Sequence, residues 1–261
     1  MEMNPLDNTL SSLLLIDIGN TNLKWAWLQG GELSRVESAA HGEGPFARVA
    51  AMSWGNAEPP DRVVVANVAG AVIAQELSDW TEYVWGLQPE TVVATAQAQG
   101  VTNAYENPAQ LGIDRWLTLI AARRLCSGAV CVVDCGTAIT ADVMDASGVH
   151  RGGVILPGFE MMRQALLEKT NIPRVGEADI DQLLARDTAT AVASAALHSA
   201  AGLVERVIAD SEQTLGDRPK LYLTGSGAVS LQKVLGVEAE RVPDLVMSGL
   251  ALLATDGAYS P

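Results

Sequence analysis

Two aspartates close apolar runs in the same way. Leu13–Ile16 leads into Asp17-Ile18-Gly19-Asn20-Thr21, and Val130–Val133 leads into Asp134-Cys135-Gly136-Thr137, 117 residues later. A carboxylate at a strand end can hold a metal ion through water. A glycine beside it lets backbone N–H groups approach an anion closely. Asn20, Thr21 and Asn22 add side-chain donors to the first loop and Lys24 adds a cation, while Thr137 and Thr140 serve the second. Neither loop ends in Gly-Lys-Ser/Thr, and the first runs through Leu23 and Lys24 into a strand, so neither is the usual P-loop. Two such loops facing each other would clamp a polyphosphate and its magnesium. Gly225-Ser226-Gly227, after a late strand, could flank an adenosine.

The elements around these loops follow from periodicity. Asn22–Leu28 alternates Leu23, Trp25 and Trp27 with Asn22, Lys24 and Ala26, which predicts a hairpin partner for the strand before it. Gln29-Gly30-Gly31 is a turn, 62–68 a strand, 69–86 a helix and 90–95 a strand. From Asn107 as N-cap and Pro108 at the first position, one helix is predicted to run through Asp114 and Arg115 to Cys126. The second copy then repeats strand, loop, strand and Gly-containing turn. After it come a strand into Pro157-Gly158, a helix, a long alanine-rich helix from Thr188, the strand 220–224, and a closing helix with Asp244 near its start and Gly257 as C-cap. Two copies over this length imply duplicated domains.

Composition narrows the function. The chain has 261 residues, 48% hydrophobic, enough for one large domain or two modest ones. With 31 acidic and 17 basic residues its formal charge is −14, a surface that repels nucleic acid and anionic membranes. An anionic substrate must therefore be held by local cations, backbone N–H groups or metal ions. No run approaches ~18 unbroken apolar residues, and the opening residues lack a basic segment and a cleavage site, so neither a membrane span nor a secretory signal is expected. Cys126, Cys131 and Cys135 fit no zinc spacing and read as buried thiols in a reducing cytoplasm. His41, His150 and His198 fall in no motif, and the tryptophans read as packing residues.

The paired loops resemble those of the acetate and sugar kinase, actin and heat-shock ATPase superfamily. Within it, "DIGNTNLKW", "GVTNAYENPAQLGIDRW", "DCGTAITADV", "GGVILPGFEMM", "DTATAV" and "LTGSGA" occur in the order of type III pantothenate kinases. The resemblance extends from about Leu13 to Gly257, and Gly100–Trp116 is its most specific part. It implies an α/β fold of two tandem ribonuclease H-like (actin-like ATPase) domains, 1–116 and 117–261, with a cleft between them. It implies transfer of the γ-phosphoryl group of ATP to pantothenate, the first step of coenzyme A synthesis, with magnesium and a monovalent cation, potassium or ammonium, in a cytoplasmic homodimer.

Carried over residue by residue, the general base falls on Asp114. The ATP-binding segment is Asp17, Ile18, Gly19, Asn20, Thr21, Asn22, Leu23 and Lys24, with Thr137. Pantothenate falls to Tyr105, Gly112, Ile113, Asp114 and Arg115, with Thr188 contributed by the other subunit. Asp134 falls on the monovalent cation and Asp17 on magnesium. Two positions depart from the family: Ala195-Ala196 where glycine is usual, and Asp187 where asparagine is common. Another kinase of the superfamily, acting on acetate or a sugar, and a non-catalytic accessory factor for transcription are the competing readings.

Overall fold

The computed structural model describes residues 12–41, 46–172 and 182–256. These form two compact units. The first comprises the described chain up to Ala98, Asn107–Leu117 and the chain from Val246; the second comprises Gln99–Glu106 and Thr118–Leu245.

The first unit opens with β1 (Ser12–Ile18), β2 (Asn22–Gln29), β3 (Glu32–Leu33), β4 (Glu37–Ala40), α1 (Phe46–Trp54), β5 (Arg62–Asn67), α2 (Ala71–Trp85), β6 (Glu90–Thr91) and β7 (Gln97–Ala98). Its sheet has the order β3-β2-β1-β5-β6, with β4 also on β2. The β1–β2 and β2–β4 pairs are antiparallel, and β5 and β6 continue parallel to β1. Gly30 and Gly31, both at positive φ, make the turn after β2. Gly86 ends α2 in the left-handed region.

Leu14, Ile16, Leu23, Val63 and Val65 build the core from the sheet side. Against them Trp25, Trp54, Trp80 and Trp85 pack edge to face, with centroids 5.6, 5.8 and 4.9 Å apart. Burying each aliphatic side chain contributes about 1.5–3 kcal/mol. The alternation expected in β2 is imperfect: Ala26 is buried and Trp27 only half-buried. A methyl group is covered by its neighbours whichever face it takes, whereas an indole at the same depth is not.

After β8 (Val101–Thr102) the single helix expected from Asn107 is two. Pro108–Gln110 is one 3-10 turn, capped by Asn107, whose side chain accepts from the Ala109 N–H at 3.2 Å. Leu111 is extended, and α3 (Ile113–Leu125) starts afresh. The capping signal is real but serves only the short turn. Strand β6 is shorter than predicted, because only Glu90 and Thr91 pair with β5.

The second unit continues with β9 (Val130–Cys135), β10 (Ala138–Met144), β11 (His150–Pro157), α4 (Phe159–Lys169), α5 (Thr188–Leu215), β12 (Lys220–Thr224), α6 (Ala228–Val234) and β13 (Glu240–Arg241). Its sheet order is β11-β10-β9-β12-β13, antiparallel through β9–β10–β11 and parallel through β9–β12–β13. The arrangement of the first sheet is thus repeated: β1 corresponds to β9, β2 to β10, β4 to β11, β5 to β12 and β6 to β13. Helix α5 is the one described helix long and apolar enough to cross a membrane. Its stripe Leu197, Ala200, Ala201, Val204 and Ile208 packs instead with Cys131, Val133, Ile139, Leu221 and Leu223 of the sheet.

The closing helix α7 (Leu245–Thr255) belongs, from Val246, to the first unit. A Cβ on Gly249 would collide with the backbone of Leu117, so this glycine lets α7 lie directly on α3. Asp244, before α7, takes a positive φ of 56°. The expected cap at Gly257 and the opening tail before Ser12 lie outside the described residues.

Candidate functional site

In the first unit, Asp17 is the penultimate residue of β1 and is 8% exposed. Antiparallel register sets it opposite Lys24 on β2. Ile18 and Leu23 are buried and close the hairpin. Gly19, Asn20, Thr21 and Asn22 form the turn between them, the last three exposed. The Gly19 N–H donates to the Asn22 carbonyl at 3.0 Å. The carbonyl of Ile18 accepts from the Val68 N–H at 3.0 Å, tying the end of β1 to the residue after β5.

The same unit holds Gly112, Ile113, Asp114 and Arg115 at the start of α3. Asp114 lies in the first turn, where a carboxylate is favoured by the helix dipole. Its Oδ1 accepts from the Arg115 N–H at 2.8 Å. A Cβ on Gly112 would stand 2.6 Å from that oxygen, so glycine leaves the space the carboxylate occupies. Arg115 and Ile113 are buried, whereas Asp114 is half-buried and keeps access to solvent.

The second unit repeats the loop one residue shorter. The hairpin closes at Cys135 and Ile139, leaving Gly136, Thr137 and Ala138, against four residues in the first loop. The Gly136 N–H donates to the Ala138 carbonyl at 3.0 Å, and the Cys135 carbonyl accepts from Gly227 N–H at 2.9 Å, as the Ile18 carbonyl accepts from Val68. Three glycines enclose this turn. A Cβ on Gly225, at φ +82°, would collide with the Asp134 carboxylate. One on Gly227 would meet the Phe159 ring at 2.7 Å, and one on Gly158 would lie 2.5 Å from both the Gly136 and Thr137 carbonyl oxygens.

The sequence placed Gly158 after Pro157 between a strand and a helix, and Gly225-Ser226-Gly227 in a loop that could flank an adenosine. Their steric work depends on strands distant in sequence and was not readable. Burial, and then the charge of Asp134, pushes the Cys135 thiol up to about 12; burial, and then Asp142, does the same to Cys131. Both stay protonated at neutral pH, so neither supplies a thiolate nucleophile or metal ligand.

Tyr105 is placed by a different device. Its N–H donates to Asn103 Oδ1 at 3.0 Å, and the adjoining Thr102 N–H donates to the Gly148 carbonyl at 2.9 Å. Its ring stacks on that of His150, with centroids 6.0 Å apart and planes 16° from parallel. His150 is buried, and its Nε2 pairs with Asp142 at 2.9 Å. The turn leading to His150 is tied by Asp145, which accepts from Ser147 N–H and Oγ, Val149 N–H and Arg151 Nε. Burial pushes the Asp145 carboxyl up, but these hydrogen bonds outweigh it and bring it down to about 2.

Thr188 is the exposed first residue of α5. Asp187 caps that helix by accepting from Thr190 N–H at 2.8 Å, as asparagine would. Ala195 is exposed within the helix. The first unit therefore carries Asp17 through Lys24 and Gly112 through Arg115; the second carries Tyr105, Asp134, Thr137 and Thr188. Among the described residues no group of three or more His, Cys, Asp or Glu side chains could cage a metal. A magnesium ion held by one or two carboxylates, water and substrate phosphates needs no such cage.

The family model described as type III pantothenate kinase matches residues 13–210. A type III pantothenate kinase from Nitrosococcus oceani is 40% identical over 250 residues, covering 94% of each chain. Among solved structures, a Campylobacter jejuni chain described as a conserved Baf family transcriptional activator superposes with a TM-score of 0.56 at 21% identity, covering 91% of this chain and 94% of that one. The activator of the 2-hydroxyisocaproyl-CoA dehydratase from Clostridium difficile, with bound ADPNP, superposes with a TM-score of 0.51 at 12% identity and 92% coverage of both chains. At these identities the two structures establish the fold alone, that of the actin-like ATPases and sugar kinases.

Proposed function

The chain belongs to the type III pantothenate kinase family, and on that premise we propose that it transfers the γ-phosphoryl group of ATP to pantothenate, giving 4′-phosphopantothenate and ADP. The observation that supports the reading is the position of Asp114 in the first turn of α3, half-buried beside the glycine that makes room for it. Asp114 accepts the proton of the attacking hydroxyl as the P–O bond forms, a task for a carboxylate within hydrogen-bond reach. Arg115 supplies positive charge for the carboxylate of pantothenate, while Tyr105 bounds the acceptor. The Gly19–Asn22 turn, Lys24 and Thr137 hold phosphate oxygens of ATP.

Asp17 suits magnesium because it combines a nearly buried carboxylate with a neighbouring turn of exposed donors; when bound, the ion neutralises charge on the phosphates. Asp134 suits a monovalent cation. Its carboxylate lies where any side chain on residue 225 would collide with it, close against backbone at Cys135 and Gly225, and such an ion is held by carboxylate and carbonyl oxygens. The active form is a homodimer in the cytoplasm, with Thr188 of each chain serving its partner's pantothenate.

The test is ADP formation dependent on pantothenate, with magnesium, potassium and ample ATP. Asp114→Asn should lower kcat by about 10²–10⁴-fold while leaving nucleotide affinity and unfolding temperature near wild type. A folded variant within a few-fold of wild type removes Asp114 from the base role. Acetate or a sugar replacing pantothenate as acceptor overturns the substrate assignment.

A further inference from the structure

His41 follows β4 directly, as Gly158 follows β11, and the two residues occupy equivalent places. In each unit the last loop residue pairs with the last residue of the third antiparallel strand: Asn22 with Ala40, Ala138 with Pro157. In each unit the next residue donates its N–H to a loop carbonyl: His41 to Thr21 at 3.2 Å, Gly158 to Thr137 at 2.9 Å. The side-chain direction is also shared. A Cβ on Gly158 would run into the Gly136 carbonyl, and the His41 imidazole reaches the matching carbonyl, that of Gly19, with Nε2 2.5 Å from the oxygen. A carbonyl only accepts, so Nε2 carries the proton.

The extra residue of the first loop makes the difference. The three-residue turn closes on Gly158 itself, where no side chain fits. The four-residue turn stands further out and is bridged by an imidazole.

The consequence concerns which way the loop faces. The Gly19 carbonyl is taken by His41 Nε2, the Thr21 carbonyl by His41 N–H and the Asn22 carbonyl by Gly19 N–H. A loop binds phosphate when its N–H groups converge on the anion and its carbonyl oxygens are held away from it. We infer that His41 is a positioning residue for the phosphate loop, holding the Gly19 and Thr21 carbonyls on the protein side so that the opposite side is presented to ATP. The inference rests on the kinase reading above and concerns the nucleotide half of that reaction alone.

The experiment uses the full chain with His41→Ala, His41→Asn and His41→Gln. Measurements are KM for ATP and for pantothenate, kcat, ADP affinity by titration calorimetry and unfolding temperature. The Gln amide can reach and donate to the Gly19 carbonyl; the shorter Asn cannot. Loss of one hydrogen bond that orders the loop should raise KM for ATP and the Kd for ADP by about three- to tenfold. KM for pantothenate should stay within about twofold, and Gln should recover most of the loss. Unchanged ATP and ADP constants in the Ala variant, a parallel rise in both KM values, or a Gln variant as weak as Ala each overturn the inference. If the Ala variant does not fold, the Asn–Gln pair decides by the same criteria. A wild-type protein that binds ADP but does not phosphorylate pantothenate sinks the acceptor assignment, and His41 is then judged on ADP affinity. A wild type that binds no nucleotide sinks both.

Discussion

Replacing Gly158 by alanine tests whether the second loop is held by backbone contact. The added Cβ would lie 2.5 Å from the carbonyl oxygens of Gly136 and Thr137 and 3.0 Å from the Thr137 carbonyl carbon, where ordinary contacts begin at 3.4 Å. All three atoms are main chain, so no flexible side chain can yield. Gly158 has φ −63°, which alanine adopts without strain, so the cost is steric alone. To restore contact, the loop or the start of α4 must move by roughly 0.9 Å, stretching the 2.9 Å bond from Gly158 N–H to Thr137. Overpacking of this kind costs about 1–3 kcal/mol. A displacement near 1 Å in a positioning group can cost about 10²-fold in rate.

The expected result is a fall of about 10- to 100-fold in kcat/KM for ATP, with a loss of a few degrees in unfolding temperature. Gly202→Ala is the control: it lies within α5, a Cβ there meets nothing within 4 Å, and alanine should stabilise by about 0.5–1 kcal/mol without changing kinetics. A folded Gly158→Ala enzyme within twofold of wild type for ATP would refute the claim that this contact sets the loop.

Asp134→Asn should abolish or strongly weaken activation by potassium or ammonium over sodium-only buffer, measured as initial rate against cation concentration; an unchanged potassium dependence would reassign the ion. Mixing inactive Asp114→Asn and Thr188→Val chains under verified subunit exchange should restore roughly a quarter of wild-type activity, because half the dimers are mixed and each holds one intact shared site. No recovery would place Thr188 in its own subunit's site. Asp145, held at about 2 when folded, contributes stability that is fully present above about pH 4 and is lost as pH falls towards 2. Equilibrium unfolding across that window should show a steeper acid loss in wild type than in Asp145→Asn, and equal slopes would remove Asp145 as a source.

What the sequence revealed, and what it hid, divides by the range of the interaction. Asp17 and Asp134 were legible as a repeat because strand, carboxylate and glycine are contiguous, and the two sheets confirm it by repeating the same strand order. Asn107 was legible as a cap for the same reason, acting within two residues, whereas Asp187 stood out in the sequence only as a departure from asparagine and its capping of α5 is a finding of the structure. The break at Leu111–Gly112 was missed because a capping signal gives where a helix starts and not how long it lasts. Val92 and Val93 looked like strand, yet strand extent is set by the partner, and β5 pairs only as far as Thr91. His150 carried no local signal, since its meaning lies in Asp142 on the adjacent strand and in Tyr105, 45 positions earlier in the chain. His41 was equally silent, its acceptor being a main-chain carbonyl with no side-chain identity to read.

The duplicated loops show how one residue of length changes what the surrounding positions must be. With three residues, the second turn folds tightly enough that position 158 must be glycine. With four, the first turn leaves a carbonyl that glycine at position 41 would abandon to solvent and that histidine can hold. Neither requirement follows from the Asp-x-Gly signature the loops share. Both follow from where the third strand ends, at Ala40 and at Pro157, and from the single N–H that each next residue sends back to the loop. A substitution at 41 therefore acts through side-chain chemistry, and one at 158 through volume. The two should fail differently: histidine to glutamine is tolerated at 41, while any side chain at 158 is not.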